Sequence, residues 1–313
     1  MLVTALCFGG TEKWLRGYPS AEKLLEILLM GMMLQLVVFL ALPAASGWAS
    51  DLVGARQLYQ RTAYESALQA LRAEDSHDAQ VLLLAGQIYY QLGKYKEASE
   101  HLEKASEVEP GSAEIFWWLG RSMGRRAQTS SFITALGYAK RCRAGLERAV
   151  AVDGTHVQAM SDLAAYYLEA PGFLGGGVEK SEQLAARIAA LDSSEGLSVQ
   201  ARIAEKRQDF SAAEAYLRRA ADLAPRQIDR WIDLARFFAR RGDVKQSEHV
   251  LAHAAEVMPE PPKLLFAKAE IYIQQVRHLK EAQALLQRYL QMPLTPEDPP
   301  RREAQRLLVN AGD

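Results

Sequence analysis

Residues 228–259 read IDRWIDLARFFARRGDVKQSEHVLAHAAEVMP. Trp231, Leu234, Ala235 and Phe238 recur at i, i+3, i+4 and i+7, which places them on one face of a helix. Gly242 and Asp243 break that pattern, and Ser247, Leu251 and Ala254 then form a second apolar stripe that stops near Pro259. Large side chains on the first helix meet small ones on the second. The stretch therefore predicts a tight antiparallel helix hairpin.

The arrangement recurs along the chain. Upstream it is carried by Leu82, Gly86, Tyr89, Ala98, Leu102, Ala105 and Pro110, and then by Phe116, Leu119, Gly120, Met123, Leu146 and Ala149. Further units hold Met160, Leu163, Ala164, Tyr167, Ser181 and Ala185, and then Leu197, Ala201, Ala213, Leu217, Ala220 and Pro225. The small residues that open each second helix are Ala67, Ala98, Cys142, Ser181, Ala213, Ser247 and Ala282, at separations of 31, 44, 39, 32, 34 and 35. The pattern resembles the tetratricopeptide repeat, whose unit is about 34 residues. The resemblance implies an all-α fold, a right-handed superhelical solenoid of antiparallel helix hairpins, with about seven hairpins over residues 50–295. Residues 296–313 read as a capping helix and tail, with Leu307 and Leu308 covering the last stripe.

Residues 1–49 read differently. Ile27 to Ala45 is almost uninterrupted apolar sequence ending in small residues, with Gly47 and Ala49 suited to signal-peptidase cleavage. The stretch is also long enough for an uncleaved membrane anchor, and a buried solenoid helix is a third reading. Glu12, Glu22 and Glu26 offset Lys13, Arg16 and Lys23, an unusual balance for a signal peptide. The expectation is a periplasmic or secreted body, or one anchored in the inner membrane. Thirty-seven basic and 38 acidic residues give a net charge of −1, so no global field favours nucleic acid or anionic lipid. Membrane contact is expected only through the N-terminal segment. Cys7 and Cys142 are the two cysteines.

Two of the marker separations are long, which predicts two insertions. One falls around residues 125–138, between the helices of the third unit, where Arg121, Arg125, Arg126, Lys140, Arg141 and Arg143 gather. It reads either as an anion site or as a solvated loop. The other, near residues 170–178, contains Pro171, Phe173, Leu174 and three consecutive glycines, Gly175 to Gly177. A phosphate cradle would need a Gly-Lys-Ser/Thr sequence after a strand, and neither is present. Phe173 and Leu174 are expected to plug the gap between hairpins.

The family resemblance implies that the first helices line a concave groove. Carried over by position, it points to Leu83 and Gln87, Trp117 and Arg121, Ser161 and Ala165, Ser198 and Arg202, Ile232 and Arg236, Phe266 and Glu270. Arg121, Arg202 and Arg236 each have a basic neighbour four residues on, at Arg125, Lys206 and Arg240. Such pairs repel on a helix surface, so an acidic peptide with apolar side chains is the expected partner. The lysine and asparagine clamp with which related domains hold chaperone C-termini is absent, since Leu83 and Gln87 occupy its first places.

No nucleophile elbow and no His-Glu-x-x-His helix is found, and the chain reads as a non-catalytic scaffold without a cofactor. His249 and His253 share one helical face but make a two-ligand site at most, so no metal is expected. The leading functional expectation is a protein-interaction adaptor of the bacterial cell envelope. A solute-binding solenoid beside a transporter is the alternative, expected to show a closed cavity near Gly175, and an enzyme is the remotest.

Overall fold

The computed structural model describes residues 52–71, 76–259 and 261–311, and every regular element among them is helical. The N-terminal apolar segment lies outside the described residues. The helices are α1 (52–60), α2 (Tyr64–Leu71), α3 (Ala79–Gln91), α4 (Tyr95–Val108), α5 (Ala113–Gln128), α6 (Phe132–Val152) and α7 (Val157–Glu169). They continue as α8 (Val178–Leu191), α9 (Ser193–Lys206), α10 (Phe210–Leu223), α11 (Ile228–Arg240), α12 (Val244–Val257), α13 (Pro262–Gln274), α14 (Leu279–Gln291) and α15 (Arg301–Asn310). Successive helices pair into hairpins, and α15 packs on the last pair. No described helix is long and apolar enough to cross a membrane.

Close approach is made possible by small residues. Ala67, Ala98, Ala213 and Ala282 are fully buried on the second helices, and Ser247 donates to the Ala235 carbonyl of the first helix at 2.9 Å. In the third hairpin two glycines meet: a Cβ on Gly145 would stand 2.9 Å from the Gly120 Cα. Leu102 and Leu146 fill the space left by Gly86 and Gly120.

Five of the hairpin turns share one backbone solution. Thr62, Gly93, Gln208, Gly242 and Val276 each adopt positive φ, between 50° and 76°. In each turn the following residue's N–H donates to a carbonyl five residues back, as Asp243 does to Phe238 at 3.0 Å and Arg277 to Tyr272 at 2.9 Å. This motif closes the helix C-terminus and satisfies its orphan carbonyls. Glycine is the inexpensive occupant, yet only Gly93 and Gly242 provide it.

The two exceptions are the hairpins with insertions. In the third, the extra residues do not form a loop as expected: they lengthen α6 to 21 residues and α5 to 16, leaving Phe132 and Ile133 exposed at the projecting end. The helices extend because Arg126 stacks over the Tyr138 ring at 4.2 Å and donates to Ser99, tying α5 to α6 and α4. In the fourth, Gly172–Leu174 makes a 3₁₀ turn and Gly175 adopts φ of 87°. Leu174 plugs the interior, but Phe173 is 73% exposed and plugs nothing. The N–H groups of Gly175, Gly176 and Gly177 all bond to chain carbonyls, at 2.8, 3.2 and 2.9 Å, so none is available to cradle a phosphate.

After α14 the chain does more than cap the last stripe. Leu294, Ala304 and Leu307 join the core of the last hairpin, with Phe266, Tyr272 and Tyr289. From there the proline-rich segment 292–300 and α15 reach back to the first three hairpins. Gln91 donates to the Pro296 carbonyl at 2.8 Å, Arg301 to Thr62 at 2.7 Å and Arg302 to the Tyr95 hydroxyl at 2.8 Å.

Val276 is β-branched, 76% exposed and left-handed. Val276→Gly should stabilise the chain by about 1 kcal/mol in urea denaturation, because the steric cost of the left-handed backbone is removed without loss of buried surface. Gly145→Ala and Gly137→Ala should differ in sign. The first forces a methyl group against backbone and costs about 1–2 kcal/mol, whereas the second enters open space on α6 and gains up to about 1 kcal/mol in helix propensity.

Candidate functional site

The first helices α3, α5, α11 and α13 face a common space, which the segment 292–300 divides into two adjoining cavities. One, of about 650 Å³, lies between Tyr59, Gln80, Leu83, Gln87 and Trp117. The other, of about 450 Å³, lies between Tyr95, Arg125, Ile232, Arg236 and Phe266. Gln91, Arg121, Lys263, Pro296 and Glu297 border both. Of the residues expected in the groove, Gln87, Trp117, Arg121, Arg125, Ile232, Arg236 and Phe266 are brought together here. Ser198 and Arg202 line neither cavity and belong to a separate polar cluster.

The wall around Trp117 is held from several sides. Trp117 Nε1 donates to Asp162 Oδ2 and Trp118 Nε1 to Glu114 Oε1, each at 2.7 Å. Arg121 lies over three rings at once, 4.9 Å from the centroids of Tyr90 and Trp117 and 4.5 Å from that of Trp118. A guanidinium in this position is attracted by the ring faces and fixes their spacing. His156 caps α7 by accepting the Ala159 N–H at Nδ1, so its proton sits on Nε2, 3.3 Å from Glu114. Gln87 also reaches Glu114, at 3.4 Å. Burial pushes the Glu114 carboxyl up, but the hydrogen bonds from His156 and Trp118 outweigh it and hold the group below the ordinary carboxylate range.

The arginines do not form an unneutralised column. Arg236 bonds to Glu270 at 2.7 Å and Arg240 to Glu205 at 2.8 Å, while Arg121 lies 3.8 Å from Asp162 and Arg125 lies 3.8 Å from Glu303. Arg202 reaches Glu195 at 3.2 Å and Ser161 at 2.9 Å, and Arg230 grips the other oxygen of Glu195 at 2.6 Å while donating to Ser198. Burial pushes the Asp233 carboxyl up despite the three guanidiniums of Arg202, Arg230 and Arg236. These side chains are not without counter-charges: the carboxylates lie on adjacent repeats for Arg121, Arg236 and Arg240, on the same helix for Arg202 and on α15 for Arg125. The basic cluster near the first insertion is engaged too, since Arg143 donates to the Leu174 carbonyl at 2.9 Å and Arg141 pairs with Glu103.

Glu114, Asp162, Glu195, Trp118 and Arg230 are the site residues that sequence reasoning missed. For two of them a faint signal was present. Arg230 and Glu195 are one repeat apart, as are Arg236 and Glu270, so opposite charges at one-repeat separation would have found the first pair; Glu114, Asp162 and Trp118 carry no such signal. His253 meets the Trp231 ring edge-to-face at a centroid distance of 4.8 Å and lies 3.7 Å from Glu256. Among the described residues no group of three or more His, Cys, Asp or Glu side chains is placed to hold a metal.

Family models agree with this geometry. A tetratricopeptide-repeat model matches residues 86–125 and a second matches residues 232–299. The fold and these matches support the tetratricopeptide-repeat family. A model described as anaphase-promoting complex, cyclosome, subunit 3 matches residues 17–105. No curated protein matches. Among solved structures, a tetratricopeptide repeat protein from Parabacteroides merdae ATCC 43184 is similar at a TM-score of 0.54 and 13% identity, over 86% of this chain and 100% of its own. The pilF protein of Pseudomonas aeruginosa matches at a TM-score of 0.44 and 14% identity, over 73% of this chain and 96% of its own. These likenesses concern the fold alone. Tetratricopeptide proteins generally mediate protein–protein interaction.

Because Glu114 is held below its ordinary range of about 4.5, its stabilising contribution is present above that value and is lost as pH falls through the lower folded value. Glu114→Gln should therefore be less stable than wild type at neutral pH. The difference in urea midpoint should shrink as pH drops below about 4.5. A gap that stays constant with pH would show that the charge itself contributes nothing.

Proposed function

We propose that this tetratricopeptide array is a non-catalytic adaptor that takes an extended peptide of a partner protein into the space between Gln87, Trp117 and Arg121. The observation that carries the reading is the wall of that space. Trp117 is clamped by Asp162 and Arg121, so an apolar partner side chain would meet a surface already fixed in position. Rigid aromatic anchors of this kind often dominate binding energy. Gln87, whose amide N–H already donates to Glu114, keeps its carbonyl oxygen as an acceptor for a peptide N–H. Acidic side chains are not required of the partner, because the neighbouring arginines already have carboxylates.

A small polar solute is the second reading. It is favoured by the segment 292–300, which bounds the cavities on the side where an open groove would admit a long peptide. The cavities lie at the centre of the array, not beside Gly175 where this reading had placed one. We further propose that residues 27–45 export the array to the cell envelope, where it is retained by an anchor or released by cleavage. Fractionation of the full chain, with the N-terminal residue of the mature protein determined, tests the location.

A photo-crosslinking amino acid at Gln87 tests the site in living cells. A discrete protein adduct is expected there, and none from the exposed Lys104 on α4. Trp117→Ala should reduce the adduct at least tenfold, in line with the loss of an interface anchor of about 2 kcal/mol or more. Equal adducts at Gln87 and Lys104 would refute the assignment. Tryptophan quenching by small solutes, with no protein adduct, would favour the second reading.

A further inference from the structure

The C-terminal segment holds the two ends of the array together by contacts of two kinds. On the side of the last hairpin it is anchored by apolar burial: Leu294 is 5% exposed, Ala304 0% and Leu307 9%, all packed with Phe266, Tyr272 and Tyr289. On the side of the first three hairpins the contacts are polar. Gln91 to Pro296, Arg301 to Thr62 and Arg302 to Tyr95 are single hydrogen bonds, and Arg125 to Glu303 is a long ion pair at 3.8 Å. The Tyr95 hydroxyl is central, because it accepts from Arg125 at 3.0 Å as well as from Arg302. Gly93 makes room for this arrangement: a Cβ there would stand 2.1 Å from the Arg302 guanidinium.

Packing along this seam is incomplete. Besides the two cavities already described, a third of about 240 Å³ separates Tyr64 and Leu92 from Thr295, Pro299 and Pro300. An interface with voids on several sides has few dispersion contacts to lose when it separates. These part-buried contacts are single hydrogen bonds and one long ion pair, each individually weak, and salt weakens the ion pair. Separation would therefore occur at the polar seam, while the apolar anchor stays with the last hairpin.

We propose that the seam is a latch: segment 292–300 and α15 close the inner face against the first three hairpins, and a partner gains entry when the latch opens. The gating half rests on the reading of the Gln87–Trp117–Arg121 space as a peptide site; the latch itself does not. Opening frees Gln91 and Tyr95 and joins the cavities into one groove, which widens what can be bound from a short segment to a long one.

The test is a distance measurement on the full chain. Nitroxide labels go on cysteines introduced at Lys96 and Arg306, whose side chains are 72% and 68% exposed, in a Cys7→Ser background. Cys142 is buried and escapes labelling. Wild type at low salt should give one short distance by pulsed electron resonance. Tyr95→Phe with Gln91→Ala should add a longer-distance population, and about 0.5 M NaCl, where screening acts within a few ångströms, should do the same in wild type. A single unchanged distance in both arms overturns the latch, and the salt arm decides alone if the double variant does not fold. Crosslinking from Gln87 reads the gating separately: it should rise several-fold in the double variant, and equal adducts in both proteins overturn the gating. If no adduct forms in either protein, it is the peptide reading that fails, and the distance still decides the latch.

Discussion

Within each hairpin the second helix presents a residue small enough for the two backbones to close, and the solenoid is built on that contact. Ala98, Ala213 and Ala282 are fully buried, and Gly145 sits against Gly120 with no room for a methyl group. Close contact lets Leu102, Leu146 and Leu251 fill the crossing, and a hairpin so closed presents an apolar edge that only the next hairpin can cover. The core is therefore propagated along the array. Trp231, Leu234 and Phe238 belong to the same cluster as Ala201 and Leu217 of the preceding unit and Leu264 and Ile271 of the following one.

Turn chemistry follows from the same constraint. A tight crossing fixes where the first helix must end, and the left-handed turn meets that demand in five hairpins whether or not glycine is available. Val276 and Gln208 tolerate it because the bonds around them over-determine the backbone. Where the turn is replaced, the chain diverges, into the long α5–α6 projection in one place and the glycine loop in the other. Both replacements are stabilised by arginines that sequence alone would assign to ligand binding. Arg126 and Arg143 instead hold the chain to itself.

Charge is handled between repeats. Groove-facing arginines at four-residue spacing would repel along one helix, but Arg121, Arg236 and Arg240 lie within reach of carboxylates on other repeats, Arg125 of one on α15, and Arg202 of Glu195 on its own helix. Such pairs add little individual stability where exposed. Their effect is to set the inner face: Arg121 and Asp162 hold Trp117, and Glu195 gathers Arg202, Arg230 and Ser161. The inner surface is consequently more nearly neutral and more preorganised than its composition implies.

Much of the fold was legible in the residues 228–259, because helical periodicity and the small residue that starts each second helix are local properties that repeat. The solenoid and its groove-facing helices were what the resemblance to the tetratricopeptide repeat implied, while the all-helical hairpin and its period followed from those local properties. So did the positions of the two insertions, though not their form, since whether extra residues extend a helix depends on Tyr138 and Ser99 being in place to receive Arg126. What the tertiary structure alone decided was the state of the groove. Gln91 and Pro296 are 205 residues apart, as are most partners across the C-terminal seam by similar margins, and a hydrogen bond over that distance leaves no period in the sequence. The sequence determined the unit and its repetition. Accumulated superhelical curvature, which sums small rotations over every hairpin, decided that the two ends would meet.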